Sequence, residues 1–237
     1  MLYISDKFST LEKAQQELKN SAFFLLDIHQ VLFHRRGLGP LLRGITRIHK
    51  KPRTFKEGFQ ALCSPTTWKS LHRRFKTGNL ITEAYLNAAK QKPHLHSELL
   101  NYSNNIYTAD KQMQKLLSVL RQKHHELYLL SNIGNLTLER LKNSYPTYFD
   151  LMTDNRNTIN RGATDDQSLI WKPQPQAYIE ALHTIGKSSV AHHAIFIDDT
   201  RRHIQAAHQQ GMNAILFRSF AQCKQDIEIL LGSNLPL

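Results

Sequence analysis

Cysteine is nearly absent: the 237 residues contain two, Cys63 and Cys223. One bridge between them is conceivable, but a disulfide framework is excluded, and a reducing compartment is the simpler expectation. Long apolar runs are missing too. No stretch approaches the ~20 residues a membrane helix needs, so no membrane span is expected. The opening MLYISDKFST has no basic region followed by a long apolar core, so no secretory leader is expected. A soluble, cytoplasmic protein is the resulting expectation. Acidic residues are the scarce charge, 19 against 31 Lys and Arg, leaving a formal net charge of +12 with the 13 His neutral. A surface of that sign attracts phosphorylated metabolites, nucleic acid and anionic membranes without choosing among them.

What is present is a composition that folds. Hydrophobic residues make up 41% and charged residues 21%, outside the range of disordered chains. The length suits one large domain, or a core with a smaller insertion.

Strand and helix signals alternate. Residues 1 to 20 suggest a short helix, with Leu11, Ala14 and Leu18 at helical spacing. AFFLLDI, 22 to 28, lacks polar alternation and predicts a fully buried strand. Residues 34 to 110 change character: they are basic, then helical, with Asn79 as an N-cap, and predict a mostly helical insertion. Beyond it, Met113, Leu116, Leu117 and Leu120 define an amphipathic helix. LYLL (127–130), DLMT (150–153), AIFIDDT (194–200) and NAILF (213–217) suggest strands. Helices are expected at NLTLERLKNSY and at RRHIQAAHQQG, the latter closed by Gly211. This rhythm predicts an α/β fold with a parallel, Rossmann-like sheet covered on both faces. Ligands of such sheets bind beyond the carboxyl ends of the strands.

Three of the strands end at Asp27, at Ser131-Asn132 and at Asp198-Asp199, with Lys172 between the last two in sequence. In a parallel sheet these groups can converge. Clustered carboxylates repel unless a cation joins them, and an all-oxygen set suits Mg²⁺. An Asp carboxylate can attack phosphorus, while hydroxyl, amide and ammonium groups hold phosphoryl oxygens.

The order of these motifs resembles the haloacid dehalogenase-like (HAD) superfamily. LLDIHQVLF looks like its first motif, D-x-D-x-V-L, and LYLLSN like its second. WKPQPQAY is similar to the third, K-P-x-P-x-x-Y, and IFIDDTRRHIQAAHQQGM to the fourth, with His203 where Asn is usual. The resemblance runs over about residues 22 to 220 and is nearest to the bacterial α-D-glucose-1-phosphatase-like group. It implies a core of residues 1–33 and 111–237, with a helical cap at 34–110. It implies Asp27 as nucleophile and metal ligand, the His29 carbonyl and Asp198 as further Mg²⁺ ligands, Asp199 as a ligand or a residue just behind them, and Ser131, Asn132 and Lys172 as phosphate-binding groups. Lys172 would also restrain Asp27. The implied activity is a Mg²⁺-dependent phosphatase for a small phosphorylated metabolite.

His29 stands where the second Asp of D-x-D would protonate the leaving oxygen and activate water. Imidazole can do both. The alternative is a catalytically weakened or inactive protein that binds phosphate ligands or a partner. The paired Asp198-Asp199 argues against the metal-free dehalogenase branch. Blander roles stay open: Asp27 or Ser131-Asn132 as helix caps, Lys172 as a surface lysine, Asp198-Asp199 as a turn. His192-His193 and His203/His208 are metal-ligand candidates for which the surface is preferred, because adjacent residues on a strand point to opposite faces. His124-His125 are expected on a solvated helix end. The basic segment Arg43–Lys76, with Trp68 and two Phe, could contact nucleic acid, but no nucleic-acid motif is recognisable, and a solvated cap face is preferred.

Overall fold

The computed structural model describes residues 1–35, 107–159 and 170–236, and isolated positions 53, 56, 57, 60 and 94. The first strand, β1 (Leu2–Tyr3), precedes α1 (Leu11–Ser21). The helix expected over 1 to 20 therefore begins only at Leu11, where the Thr10 side chain caps it by accepting from the Lys13 N–H. β2 (Phe23–Leu26) follows, then β3 (Phe33–Arg35) and β4 (Tyr107–Ala109). After these come α2 (Lys111–Gln122), β5 (Glu126–Leu129), α3 (Asn135–Ser144), α4 (Pro146–Phe149) and β6 (Asp154–Asn157). The chain closes with α5 (Pro175–Thr184), a 3-10 turn (Ser188–His193), β7 (Ala194–Asp198), α6 (Arg201–Gln209), β8 (Asn213–Leu216) and α7 (Phe220–Leu231).

The main sheet has the order β1-β8-β7-β2-β5-β6. Every neighbour is parallel except β1, which runs antiparallel to β8. The expected Rossmann-like α/β core is thus present. β2 sits at its centre and is buried along its length, which is why its sequence shows no polar alternation. The pleat still sorts its side chains. Phe24 and Leu26 join the core formed with α1, α2 and α7, while Phe23 and Leu25 join the core under α5 and α6.

Two strands differ from expectation. DLMT at 150–153 is turn, and the strand is the polar stretch Asp154–Asn157 beside it. The physical cause is Thr153, whose N–H donates to the Leu127 carbonyl and whose hydroxyl accepts from the Leu127 N–H. That pinned turn moves strand pairing on to the next residues, on an edge where no apolar face is required. Two helices, α5 and α7, add to those the sequence predicts. The latter is capped by Ser219 and buries Cys223, Ile227, Leu230 and Leu231. Cys223 is a buried free thiol, and Cys63 lies outside the described residues.

The ends of the expected insertion are strand rather than helix. Phe33–Arg35 pairs antiparallel with Tyr107–Ala109, forming a two-stranded ribbon at the root of the insertion. Asn79 and the basic segment, apart from residues 53, 56, 57 and 60, lie outside the described residues; at those four positions and at 94 the backbone is helical. Among the described residues no helix is long and apolar enough to cross a membrane.

Candidate active site

Sheet register brings the site together. Leu26 of β2 pairs with Leu129 of β5 on one side and Ile197 of β7 on the other. The ladder continues one step further. The Asp27 N–H donates to the Ile197 carbonyl at 3.0 Å, and the Leu130 N–H to the Leu26 carbonyl at 2.9 Å. Asp27, Ser131 and Asp198 therefore emerge side by side at the carboxyl rim, all buried.

Lys172 closes the rim. It lies in the segment leading into α5, and its side chain is 1% exposed. The ammonium donates to Asp27 Oδ1 at 2.8 Å, to Asp198 Oδ2 at 2.6 Å and to the Leu130 carbonyl at 2.7 Å. These contacts use its three donors. Burial alone would lower the Lys172 pKa, but the carboxylates of Asp198 and Asp27 outweigh it and hold the ammonium above its ordinary value. Asp198 is the mirror case. Burial favours its neutral form, yet Lys172 and the hydrogen bond from His203 keep it below the usual carboxylate range. The Thr200 N–H, at the start of α6, also donates to Asp198 Oδ1 at 2.8 Å.

The Asp27, Asp198 and Asp199 carboxylates lie within 4.8 Å of one another. Burial and the charges of Asp198 and Asp27 push the Asp199 carboxyl up. With all three ionised and Lys172 charged, the cluster carries two negative charges in excess. That deficit, on oxygen donors alone, fits one divalent hard cation.

Ser131 Oγ is buried and has no hydrogen-bond partner. A hydroxyl left so at a strand end beside Asp27 is suited to an anionic oxygen. Asn132, expected at the phosphate, is bonded to the Lys172 backbone. Its amide donates to the Lys172 carbonyl and accepts from the Lys172 N–H, both at 2.9 Å. It positions Lys172 through the backbone.

His29 lies in a tight turn after β2. The Gln30 backbone there takes a left-handed φ of 61°, and its N–H donates to the Phe33 carbonyl. His29 Nε2 is 2.9 Å from the Tyr107 hydroxyl, with the rings edge to face at 5.4 Å. The β3–β4 ribbon thus orients the imidazole, a contact that joins residues 78 apart.

His203 corrects the surface preference. It is buried, and its Nδ1 lies 3.1 and 3.0 Å from the two oxygens of Asp198. The fourth-motif spacing places it one turn into α6, facing back to the strand end. His125 is corrected likewise. It is 2% exposed, and its Nδ1 contacts the Ala22 carbonyl at 3.0 Å. His208 stays partly exposed on α6, its Nδ1 3.4 Å from the Met212 carbonyl.

No protein-family model matches the chain, and no curated protein matches it by sequence. Solved structures do. A crystal structure of a HAD family enzyme from Bacteroides thetaiotaomicron superposes with a TM-score of 0.52 at 17% identity, over 84% of this chain and 95% of that one. The same enzyme in complex with magnesium and inorganic phosphate gives 0.52 at 15% identity, over 83% and 94%. A dehalogenase in an intermediate complex gives 0.50 at 14%, over 83% and 84%. At these identities the likeness is one of fold: the chain has the α/β fold of the HAD enzymes.

Proposed function

We propose that the chain is a HAD-like hydrolase, a Mg²⁺-dependent phosphatase that acts on a small phosphorylated metabolite through an aspartyl-phosphate at Asp27. The observation that carries this is a trio of carboxylates at the rim of a parallel sheet, two of them, Asp27 and Asp198, buried and sharing the Lys172 ammonium. Asp27, Asp198, Asp199 and the His29 carbonyl would hold the ion. When bound it would offset the charge of carboxylate and substrate and neutralise charge developing on phosphorus. Likeness to an enzyme crystallised with magnesium and inorganic phosphate supports the choice of ion and ligand.

In this scheme an Asp27 oxygen attacks phosphorus as the ester P–O bond breaks, and His29 gives its proton to the departing oxygen. Water then attacks the phosphorus of the acyl phosphate, His29 takes its proton, and the bond to Asp27 breaks. Ser131 Oγ holds one phosphoryl oxygen and Lys172, by exchanging one of its carboxylate contacts, another; Asn132 holds Lys172. The Tyr107 hydroxyl keeps the imidazole oriented through both proton transfers. The motif likeness to α-D-glucose-1-phosphatase-like proteins favours a sugar phosphate or similar metabolite.

The test is Mg²⁺-dependent release of phosphate from an aryl phosphate, with Asp27→Asn as control. Release that persists in Asp27→Asn would remove Asp27 as nucleophile. Absence of release above that control would favour the phosphate-binding, non-catalytic alternative.

A further inference from the structure

On the far side of β7 from the carboxylate rim, a second group of ligand-type side chains meets at the surface. Glu17 comes from α1, and His192 and His193 from the 3-10 turn that feeds the amino end of β7. Adjacent histidines on a strand would diverge. In this turn both rings converge instead: their centroids are 4.3 Å apart at 60°, and both Nε2 atoms approach the same Glu17 oxygen, at 3.3 Å from His193 and 3.9 Å from His192.

We propose that Glu17, His192 and His193 form a second cation site, selective for a borderline divalent transition metal such as Zn²⁺ and separate from the carboxylate cluster. Ligand atoms from the three residues all lie within 4.8 Å of one another. Tetrahedral zinc holds its nitrogen and oxygen ligands at about 2.0–2.2 Å, which places ligand atoms roughly 3.4 Å apart. The Glu17–His193 separation of 3.3 Å matches this, and His192 is about half an ångström further off, at 3.9 Å. Two imidazoles and a carboxylate suit zinc, nickel or copper and not Mg²⁺, which prefers oxygen alone. The site is open, with side-chain exposures of 51% for Glu17 and 26% and 20% for His192 and His193, so water can complete the shell.

Its frame is built in. Asn213 is fully buried, and its amide donates to the carbonyls of His192 at 2.7 Å and Ala194 at 3.2 Å. The same side chain accepts from the Ser5 N–H. The edge of the Phe8–His192 ring pair, at 5.7 Å, further orients the imidazole. A bound ion would clamp α1 to the turn that leads into β7.

The test titrates Zn²⁺ calorimetrically into the untagged full-length chain in excess Mg²⁺, and into Asp27→Asn, His193→Gln and Glu17→Gln. One equivalent is expected in the wild type and in Asp27→Asn, weakened at least about 10-fold in His193→Gln, a loss no smaller than that from disturbing a ligand's support. Zn²⁺ should also raise the thermal midpoint of the wild type and not of His193→Gln. Three results would overturn the proposal: no Zn²⁺ uptake by the wild type, uptake unchanged in both His193→Gln and Glu17→Gln, or uptake abolished by Asp27→Asn.

Discussion

Replacing Lys172 with Met leaves Asp27 and Asp198 facing one another in a buried site with no counter-charge. Breaking a buried pair in this way costs about 3–5 kcal/mol, so Lys172→Met should show a strongly lowered denaturation midpoint together with loss of the proposed phosphatase activity. Added Mg²⁺ should restore part of the stability and none of the turnover. His29→Ala should slow turnover by roughly 10²-fold or more if the imidazole moves protons, while leaving the aspartyl-phosphate step with good leaving groups less affected; unchanged turnover in that variant would reduce His29 to a backbone ligand. His125 sets a pH dependence of its own. Burial holds its pKa below the ordinary 6.5, against the hydrogen bond with Ala22. The unfolded chain takes up a proton near 6.5 and the folded chain only at lower pH. Stability from this group is therefore complete above about pH 6.5 and falls as pH drops through it, by at most about 1.4 kcal/mol per pH unit. Unfolding midpoints from pH 5 to 7.5 should show that slope, and His125→Gln should flatten it. Asp27, Asp198 and Lys172 were legible as residues because each ends a strand or follows a motif. His203 and His125 were not, because their roles come from one tertiary contact each, to Asp198 and to the Ala22 carbonyl.

At the scale of elements, the sequence spoke clearly where burial is complete and ambiguously at edges. β2, β5, β7 and β8 are apolar on both faces, so their position followed from composition. β6, the edge strand DNRN, has no apolar residue to mark it. The pairing of Phe33–Arg35 with Tyr107–Ala109 spans the whole insertion, and no local pattern encodes such a contact. α7 did carry a signal, Cys223, Ile227, Leu230 and Leu231 at helical spacing, but it lies beyond the motifs that organise the strand ends. It packs with α1 over one face of the sheet. Leu18 is fully buried in that layer, so Leu18→Ala should destabilise by about 2–5 kcal/mol. Because the layer is remote from the carboxylate rim, kcat at a temperature where the variant stays folded should match the wild type.

For the whole molecule, the formal net charge is +12, while the carboxylates of the candidate site are in local excess. Under the proposed function the general field would draw an anionic substrate in, and the local cluster would need a cation before that substrate approached. Two consequences are measurable. Raising ionic strength should lower kcat/KM for a phosphate monoester with little change in kcat, since screening acts on encounter. Mg²⁺ should raise the unfolding midpoint with the logarithm of its concentration, and Asp199→Asn, which removes one of the crowded charges, should be more stable without metal and gain less from it.

The proposed function turns on a covalent bond between Asp27 and phosphorus. The direct measurement is rapid acid quench of the wild type turning over an aryl phosphate with Mg²⁺, followed by peptide mapping for hydroxylamine-sensitive phosphate. A labile phosphoryl group on the peptide containing Asp27, missing from Asp27→Asn, is the predicted result. Turnover with no trapped phosphate on that peptide, or phosphate mapped to another residue, would contradict it.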